Sequence, residues 1–131
     1  MNTEERAAYA EELKRSGICN CAQAVALALA DQTAIGETAL KQATAGFCAG
    51  MGTLEATCGA LIGAGIVAGL ATGGVGTLRI TRMLLTRFKE TCGATACRDM
   101  KATINGIPRC PCEQCVKNAV RAYAEVIGLQ E

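Results

Sequence analysis

Sulfur dominates the chemistry open to this chain, which has nine cysteines and no histidine among 131 residues. Without imidazole there is no Ser-His-Asp or Cys-His catalysis and no mixed cysteine–histidine zinc site. The cysteines are Cys19, Cys21, Cys48, Cys58, Cys92, Cys97, Cys110, Cys112 and Cys115. Seven of them fall in close groups: Cys19-x-Cys21, Cys92-x4-Cys97 and Cys110-x-Cys112-x2-Cys115. Cys112-Glu113-Gln114-Cys115 is a Cys-x-x-Cys motif at a predicted helix start. It suits a reversible disulfide, with Cys112 as attacker and Cys115 as partner, and it equally suits two ligands of a metal or cluster. The spacing is neither that of a ferredoxin series nor that of a zinc ribbon, which needs a second Cys-x-x-Cys.

The elements that must position these sulfurs read as helices throughout, with no run of convincing strand period. A polar helix covers Thr3 to about Arg15 and closes at Ser16-Gly17. Asn20 is a good N-cap, with Gln23 at the capping-box position, for a helix from Cys21 to about Asp31. Another helix runs from Gly36 or Glu37 to Cys48 and is broken by Gly50-Met51-Gly52. Thr53 or Thr57 caps an apolar helix reaching Leu70 or Ala71, and Thr72-Gly73-Gly74 turns the chain. Leu78 to about Thr91 is amphipathic, with Ile80, Leu84 and Phe88 inward. A short helix near Thr95–Ala102 carries Cys97. The stretch from Asn105 to Arg109 reads as an irregular loop. The last helix begins near Pro111, with proline in its first turn, and ends at Gly128. Its buried stripe is Val116, Ala119, Val120, Tyr123 and Ile127. The fold class is therefore all-α: one domain over 1–131, a bundle of five to seven helices around a central Gly/Ala-rich buried helix.

On this map Cys21, Cys58, Cys97 and Cys112 each fall in a first helical turn. Free N–H groups and about half a positive charge at a helix start stabilise a thiolate there. If those starts converge, they build an electropositive pocket of sulfur suited to an anionic cluster or a reactive dithiol.

At the same residues the chain resembles the C_GCAxxG_C_C family, named for its cysteine motif. The resemblance rests on Asn20-Cys21-Ala22-Gln23-Ala24-Val25, on Cys58-Gly59-Ala60-Leu61-Ile62-Gly63, on Cys97-Arg98-Asp99-Met100, and on Cys115 leading into the last helix. It covers roughly Gly17 to Gly128. It implies a small helical protein of redox or metal-cluster function. It also implies that Cys21, Cys58, Cys97 and Cys115 are the family cysteines, a set of four able to hold one metal or one cluster. The chain departs from the family name at Thr57-Cys58-Gly59-Ala60, where the name reads Gly-Cys-Ala. A one-residue offset there turns a helical side chain by about 100°.

The expected function is thus redox activity through an iron–sulfur cluster or another thiolate-bound metal, or through a dithiol at Cys112/Cys115, served by a redox partner protein. Two rivals remain from other classes: a non-catalytic structural zinc site, and a thiol-rich metal-handling protein. Net charge is +1 and aromatic residues make up 3%, which gives neither a basic field nor a stacking platform for nucleic acid. The charged start, Met1 to Arg6, is not followed by an apolar run. It reads as no secretory signal, so the thiols point to a reducing cytoplasmic setting.

The uncharged stretch from Ala56 to Leu78 is long enough for a membrane span, but it is rich in glycine, alanine and threonine. A helix packed closely against its neighbours explains it better, and the small-residue spacing also admits a homodimer. Gly63-Ala64-Gly65 imitates a dinucleotide turn but lacks the strand and the acidic residue that the motif needs. Met51, Met83 and Met100 read as packing residues. Tyr9 and Tyr123 read as packed rings with hydroxyls at the surface.

Overall fold

The computed structural model describes residues 1–129. Seven α-helices follow in order: α1 (Thr3–Arg15), α2 (Cys21–Ala28), α3 (Glu37–Thr44), α4 (Gly59–Thr72), α5 (Thr77–Cys92), α6 (Cys97–Lys101) and α7 (Cys112–Ile127). A small hairpin of β1 (Thr103–Ile104) and β2 (Ile107–Pro108) separates the last two. The fold is all-α. Among the described residues no helix is long and apolar enough to cross a membrane.

Local chemistry sets the helix starts. Asn2 and Glu5 form a capping box on α1, and Asn20 and Gln23 form the expected one on α2. The Asn20 side chain accepts from the Gln23 N–H at 2.8 Å, and the Gln23 side chain accepts from the Asn20 N–H at 3.0 Å. Both side chains also donate to α3, Asn20 to the Ala45 carbonyl at 3.0 Å and Gln23 to the Lys41 carbonyl at 3.1 Å. One box therefore fixes the start of α2 and docks α3 on it.

α2 touches α1, α3, α4 and α7, while α5 packs on α4 and α7. Val25, Leu29, Leu40, Val67, Leu84, Phe88, Val116, Val120 and Tyr123 are fully buried between these helices. The α2–α4 contact is backbone against backbone. A Cβ on Gly63 would sit 2.5 Å from the Ala22 carbonyl oxygen, and one on Gly59 would sit 2.4 Å from the Phe47 carbonyl oxygen. The glycines of α4 thus serve contacts within the chain.

Several boundaries differ from the sequence reading, each for a local reason. α3 stops at Thr44, whose hydroxyl folds back onto the Leu40 carbonyl at 2.9 Å, so Phe47 and Cys48 lie beyond it. The stretch from Asn105 to Arg109 is not an irregular loop, because Asn105 and Gly106, with φ of 56° and 80°, make the tight turn that joins two antiparallel strands. Pro111 stands at the N-cap, and α7 begins at Cys112. Tyr123 does not reach the surface: its ring is fully buried and its hydroxyl has no hydrogen-bond partner among the described residues. Of the three methionines read as packing, only Met100 is buried, whereas Met51 and Met83 are exposed.

α1 is held at both ends. Arg6, buried, meets the Asp31 carboxylate with two nitrogens at 2.5 and 2.7 Å and also donates to the Ala28 carbonyl. Lys117 and Arg121 of α7 reach Glu11 and Glu4.

Two outcomes follow for stability. Gly63→Ala should cost about 1–3 kcal/mol, because the obstacle is backbone and cannot swing aside. Gly65→Ala, whose Cβ would meet only the Thr81 methyl at 3.6 Å, should be neutral or stabilising, since helix propensity favours alanine. Thermal unfolding of the two variants makes the comparison. In the second case, Arg6 holds the Asp31 carboxyl below its usual range. The ion pair therefore contributes above the unfolded carboxyl pKa of about 3.9 and is lost as pH falls through the lower folded value. Asp31→Asn should lower the melting temperature at neutral pH, and the gap from wild type should close in acid.

Candidate functional site

Four helix starts carry a sulfur. Cys21, Cys97 and Cys112 are the first residues of α2, α6 and α7. Cys58 is itself the N-cap of α4, the place expected of Thr53 or Thr57. Ala96 precedes Cys97 as the N-cap of α6. A short backbone clamp aligns two of these starts. Thr57 and Ala96 form an isolated antiparallel bridge. The Cys58 N–H donates to the Thr95 carbonyl at 2.6 Å, and the Cys97 N–H donates to the Ala56 carbonyl at 2.9 Å.

The starts converge. Cys21, Cys48, Cys58, Cys97, Cys110, Cys112 and Cys115 line one cavity of about 60 Å³, with Lys14 and Lys101 on its wall. Cys21, Cys58, Cys97 and Cys115, the set expected from the resemblance, are all among its lining. A wider groove of about 510 Å³, lined by Leu61, Ile66, Leu78 and Leu85 between α4 and α5, has no sulfur on its wall.

Beside the cavity lies a buried triad that sequence spacing did not single out. The sulfurs of Cys92, Cys110 and Cys115 lie within 4.8 Å of one another, and all three residues are buried. Three separate stretches deliver them. Cys92 ends α5, continuing the inward stripe of Leu84 and Phe88 at helical spacing. Cys110 is carried in by the hairpin, which returns the chain so that the Arg109 and Cys110 N–H groups donate to the carbonyls of Ala102 and Met100. Cys115 lies one turn into α7.

Cys110 donates to the Cys92 sulfur at 3.2 Å, and the Asn118 amide donates to it at 3.1 Å. Asn118 is held in turn by Gln114 at 2.8 Å. The hydrogen bond from Cys110, seconded by Cys115, outweighs burial and pulls the Cys92 thiol down to about 3. This happens at a helix C-terminus, where the dipole disfavours an anion, so the donors decide it. On Cys110 the Cys115 contact lowers the pKa, but Cys92 and burial outweigh it and raise the thiol to about 12. Cys115, beside Cys110, Cys58 and Cys92, is pushed up by those contacts and by burial. Cys58 is pulled down by its hydrogen bond with Cys115 and by the Ala60 and Leu61 N–H groups, against burial.

Toward the mouth lie Cys112 and Cys21, both half-buried on the cavity wall. The Cys21 thiol, helped by Lys14 and Lys101 and opposed by burial, brings Cys112 down to about 6, while Cys21 is pushed up. Cys115 instead donates to the Cys110 carbonyl at 3.2 Å. The two sulfurs of the Cys-x-x-Cys motif thus take different neighbours. Cys97 is buried on the wall, and burial raises its thiol. Cys19 lies in the core and is raised by burial, whereas Cys48 is exposed. All nine cysteines are free thiols.

The loop before α4 completes the wall. Ala49, Met51 and Leu54 adopt left-handed φ of 50°, 60° and 64°, a conformation rare for non-glycine residues. Gly50 between them leaves no room for a side chain, since a Cβ would lie 2.9 Å from the Cys97 Cβ.

A family model described as "Putative redox-active protein (C_GCAxxG_C_C)" matches residues 19–126 of the chain. No curated protein and no solved structure matches it.

The electrostatics separate two low-lying thiols by access. In reduced, metal-free protein, alkylation of Cys112 by iodoacetamide should rise with a midpoint near pH 6, following its thiolate. Cys92 should resist at every pH in that range despite its lower pKa, because it is only 5% exposed. Peptide mapping of the alkylated protein between pH 5 and 8, a window of roughly the neutral range around that midpoint, reads both sites.

Proposed function

Since the chain belongs to the C_GCAxxG_C_C family, we propose that it carries a redox-active metal centre held by the buried thiolates beside the cavity. The observation that carries this reading is the buried triad of Cys92, Cys110 and Cys115 within 4.8 Å. Thiolate–metal bonds of about 2.3 Å place sulfurs around one ion roughly 4 Å apart, and the triad fits that spacing. Cys58, which lines the same cavity as Cys110 and Cys115, would supply the fourth sulfur. The donor set is all thiolate, which selects iron, zinc or monovalent copper over hard cations. Bound iron, as one ion or as an iron–sulfur cluster, supplies one-electron chemistry.

The protein's own residues then have defined tasks. Cys92, Cys110, Cys115 and Cys58 bind. Asn118 orients Cys92 and, by donating to its sulfur, draws charge from it, which is one of the ways a protein sets the potential of such a centre. Burial of the three triad residues excludes water from the ligand bonds. Cys21 and Cys97, on the same cavity wall, complete the wider family set and are the rival ligands to Cys58's deep partners.

Anaerobic purification with iron, sulfide and zinc analysis tests the reading. Visible charge-transfer absorption with stoichiometric iron is expected, and Cys92→Ser and Cys110→Ser should each lose most of the metal while keeping helical circular dichroism. Metal retained in those variants but lost from Cys21→Ser and Cys97→Ser would return the ligand set to Cys21, Cys58, Cys97 and Cys115. Colourless protein with one zinc that unfolds in chelator would make the site structural. Metal-free protein would end the metal reading.

A further inference from the structure

We propose that the α4–α5 hairpin docks on the surface of an anionic lipid bilayer. The net charge of +1 conceals an uneven distribution. All twelve acidic residues lie outside the stretch from Ala56 to Lys89, which carries Arg79, Arg82, Arg87 and Lys89. Arg87 is held by Glu90 and Glu125. Arg79, Arg82 and Lys89 are exposed and meet no carboxylate among the described residues. Their helix also shows carbon to water. Leu78, Arg82, Leu85 and Lys89 follow one another at helical spacing along the exposed face of α5, so apolar and cationic side chains alternate on one stripe. The turn before α5 continues it, with Val75 80% exposed and Leu78 72%. Thr72 and Thr77 join across that turn, their hydroxyls 2.6 Å apart, which braces the tip. Beside the stripe, the groove of about 510 Å³ adds Leu61, Ile62 and Ile66 of α4.

Charge and carbon together choose the occupant. A second copy would set guanidinium groups against guanidinium groups, with no acid on either face to answer them. Nucleic acid would meet the cations but find no exposed ring to stack on, since Phe88 is buried. A partner helix laid in the groove would leave Val75, the most exposed of these side chains, outside it. A small soluble anion would answer the cations alone and leave the aliphatic side chains in water. An anionic bilayer answers both. Its phosphates pair with Arg79, Arg82 and Lys89, while Val75, Leu78 and Leu85 enter the boundary between headgroups and acyl chains. This inference stands apart from the metal centre, because none of these residues is a ligand there.

Sedimentation of the full chain with lipid vesicles decides the matter. The protein should pellet with phosphatidylcholine vesicles that contain phosphatidylglycerol, stay in solution with phosphatidylcholine alone, and leave the anionic vesicles as salt is raised. The double variant Arg79→Gln/Arg82→Gln should partition about twenty-five-fold less, at about fivefold for each cation. Leu78→Ser should lose about tenfold. All three positions are exposed, so helical circular dichroism should stay that of wild type. Metal content of the same variants reports separately on the sulfur site and should not change. The chain has no tryptophan, so Leu78→Trp supplies a local reporter whose emission should shift to the blue on anionic vesicles. No pelleting with anionic vesicles, equal pelleting with neutral ones, unchanged partition of the variants, or pelleting of Leu78→Trp without a shift in emission overturns the proposal. Without vesicle binding, a dimeric mass in light scattering assigns the face to a second copy, and binding of an acidic amphipathic peptide assigns it to a protein; either overturns the proposal.

Discussion

The close approach of α4 to α2 is the constraint on which the sulfur site depends. Gly63 rides on the Ala22 carbonyl, and Gly59 packs beneath Phe47. No side chain fits between the two backbones, so the first turns of both helices are pressed together. Cys21 opens one of those turns and Cys58 caps the other. Their sulfurs face one cavity because nothing larger than hydrogen separates the helices that bear them. The Thr57–Ala96 bridge extends the alignment to α6 and brings Cys97 in. α7, packed against α2 and α4, supplies Cys112 and Cys115 from a third direction. Small residues thus do for this site what a binding loop does elsewhere: they set distances.

Within that frame the sulfurs are not equivalent, and hydrogen bonding accounts for the difference. A thiol that donates is held protonated, and one that accepts is held charged. Cys110 and Cys115 donate, Cys92 and Cys58 receive, and Cys21 and Cys112 repeat the pattern on a smaller scale. Asn118 adds a neutral donor to Cys92, whose place at a helix C-terminus would otherwise discourage charge. The family-position set and the deep triad share Cys115, so α7 carries the residue common to both.

The parts of this architecture governed by local rules were legible in the sequence. Asn20 with Gln23 marked the start of α2, the glycine at 128 marked the end of α7, and sulfurs near helix starts were visible from capping and breakers alone. What local rules do not carry is which distant sulfurs meet. The Cys-x-x-Cys motif placed Cys112 beside Cys115 along the chain, yet packing of α2 and α7 gives Cys112 a different neighbour. Cys110 reaches the triad only because Asn105-Gly106 closes a hairpin, and that signal lay in plain view within a stretch read as irregular. Cys92 continued the Leu84–Phe88 stripe and so pointed inward, but not toward a particular partner. The buried Tyr123 hydroxyl contradicts the usual rule for tyrosine, and no local pattern marks it.

The packing of α1 against α7 has a consequence for biosynthesis. The two helices are joined by Glu4–Arg121 and Glu11–Lys117 pairs between opposite ends of the chain. During vectorial synthesis Cys21, Cys58 and Cys92 leave the ribosome well before the residues that cover them. The cavity has no floor until Cys110 and Cys115 emerge and the last helix docks. The sulfur site is therefore incomplete until Cys115 has been made, and any metal or oxidant that meets the nascent chain earlier finds open thiols in place of a site.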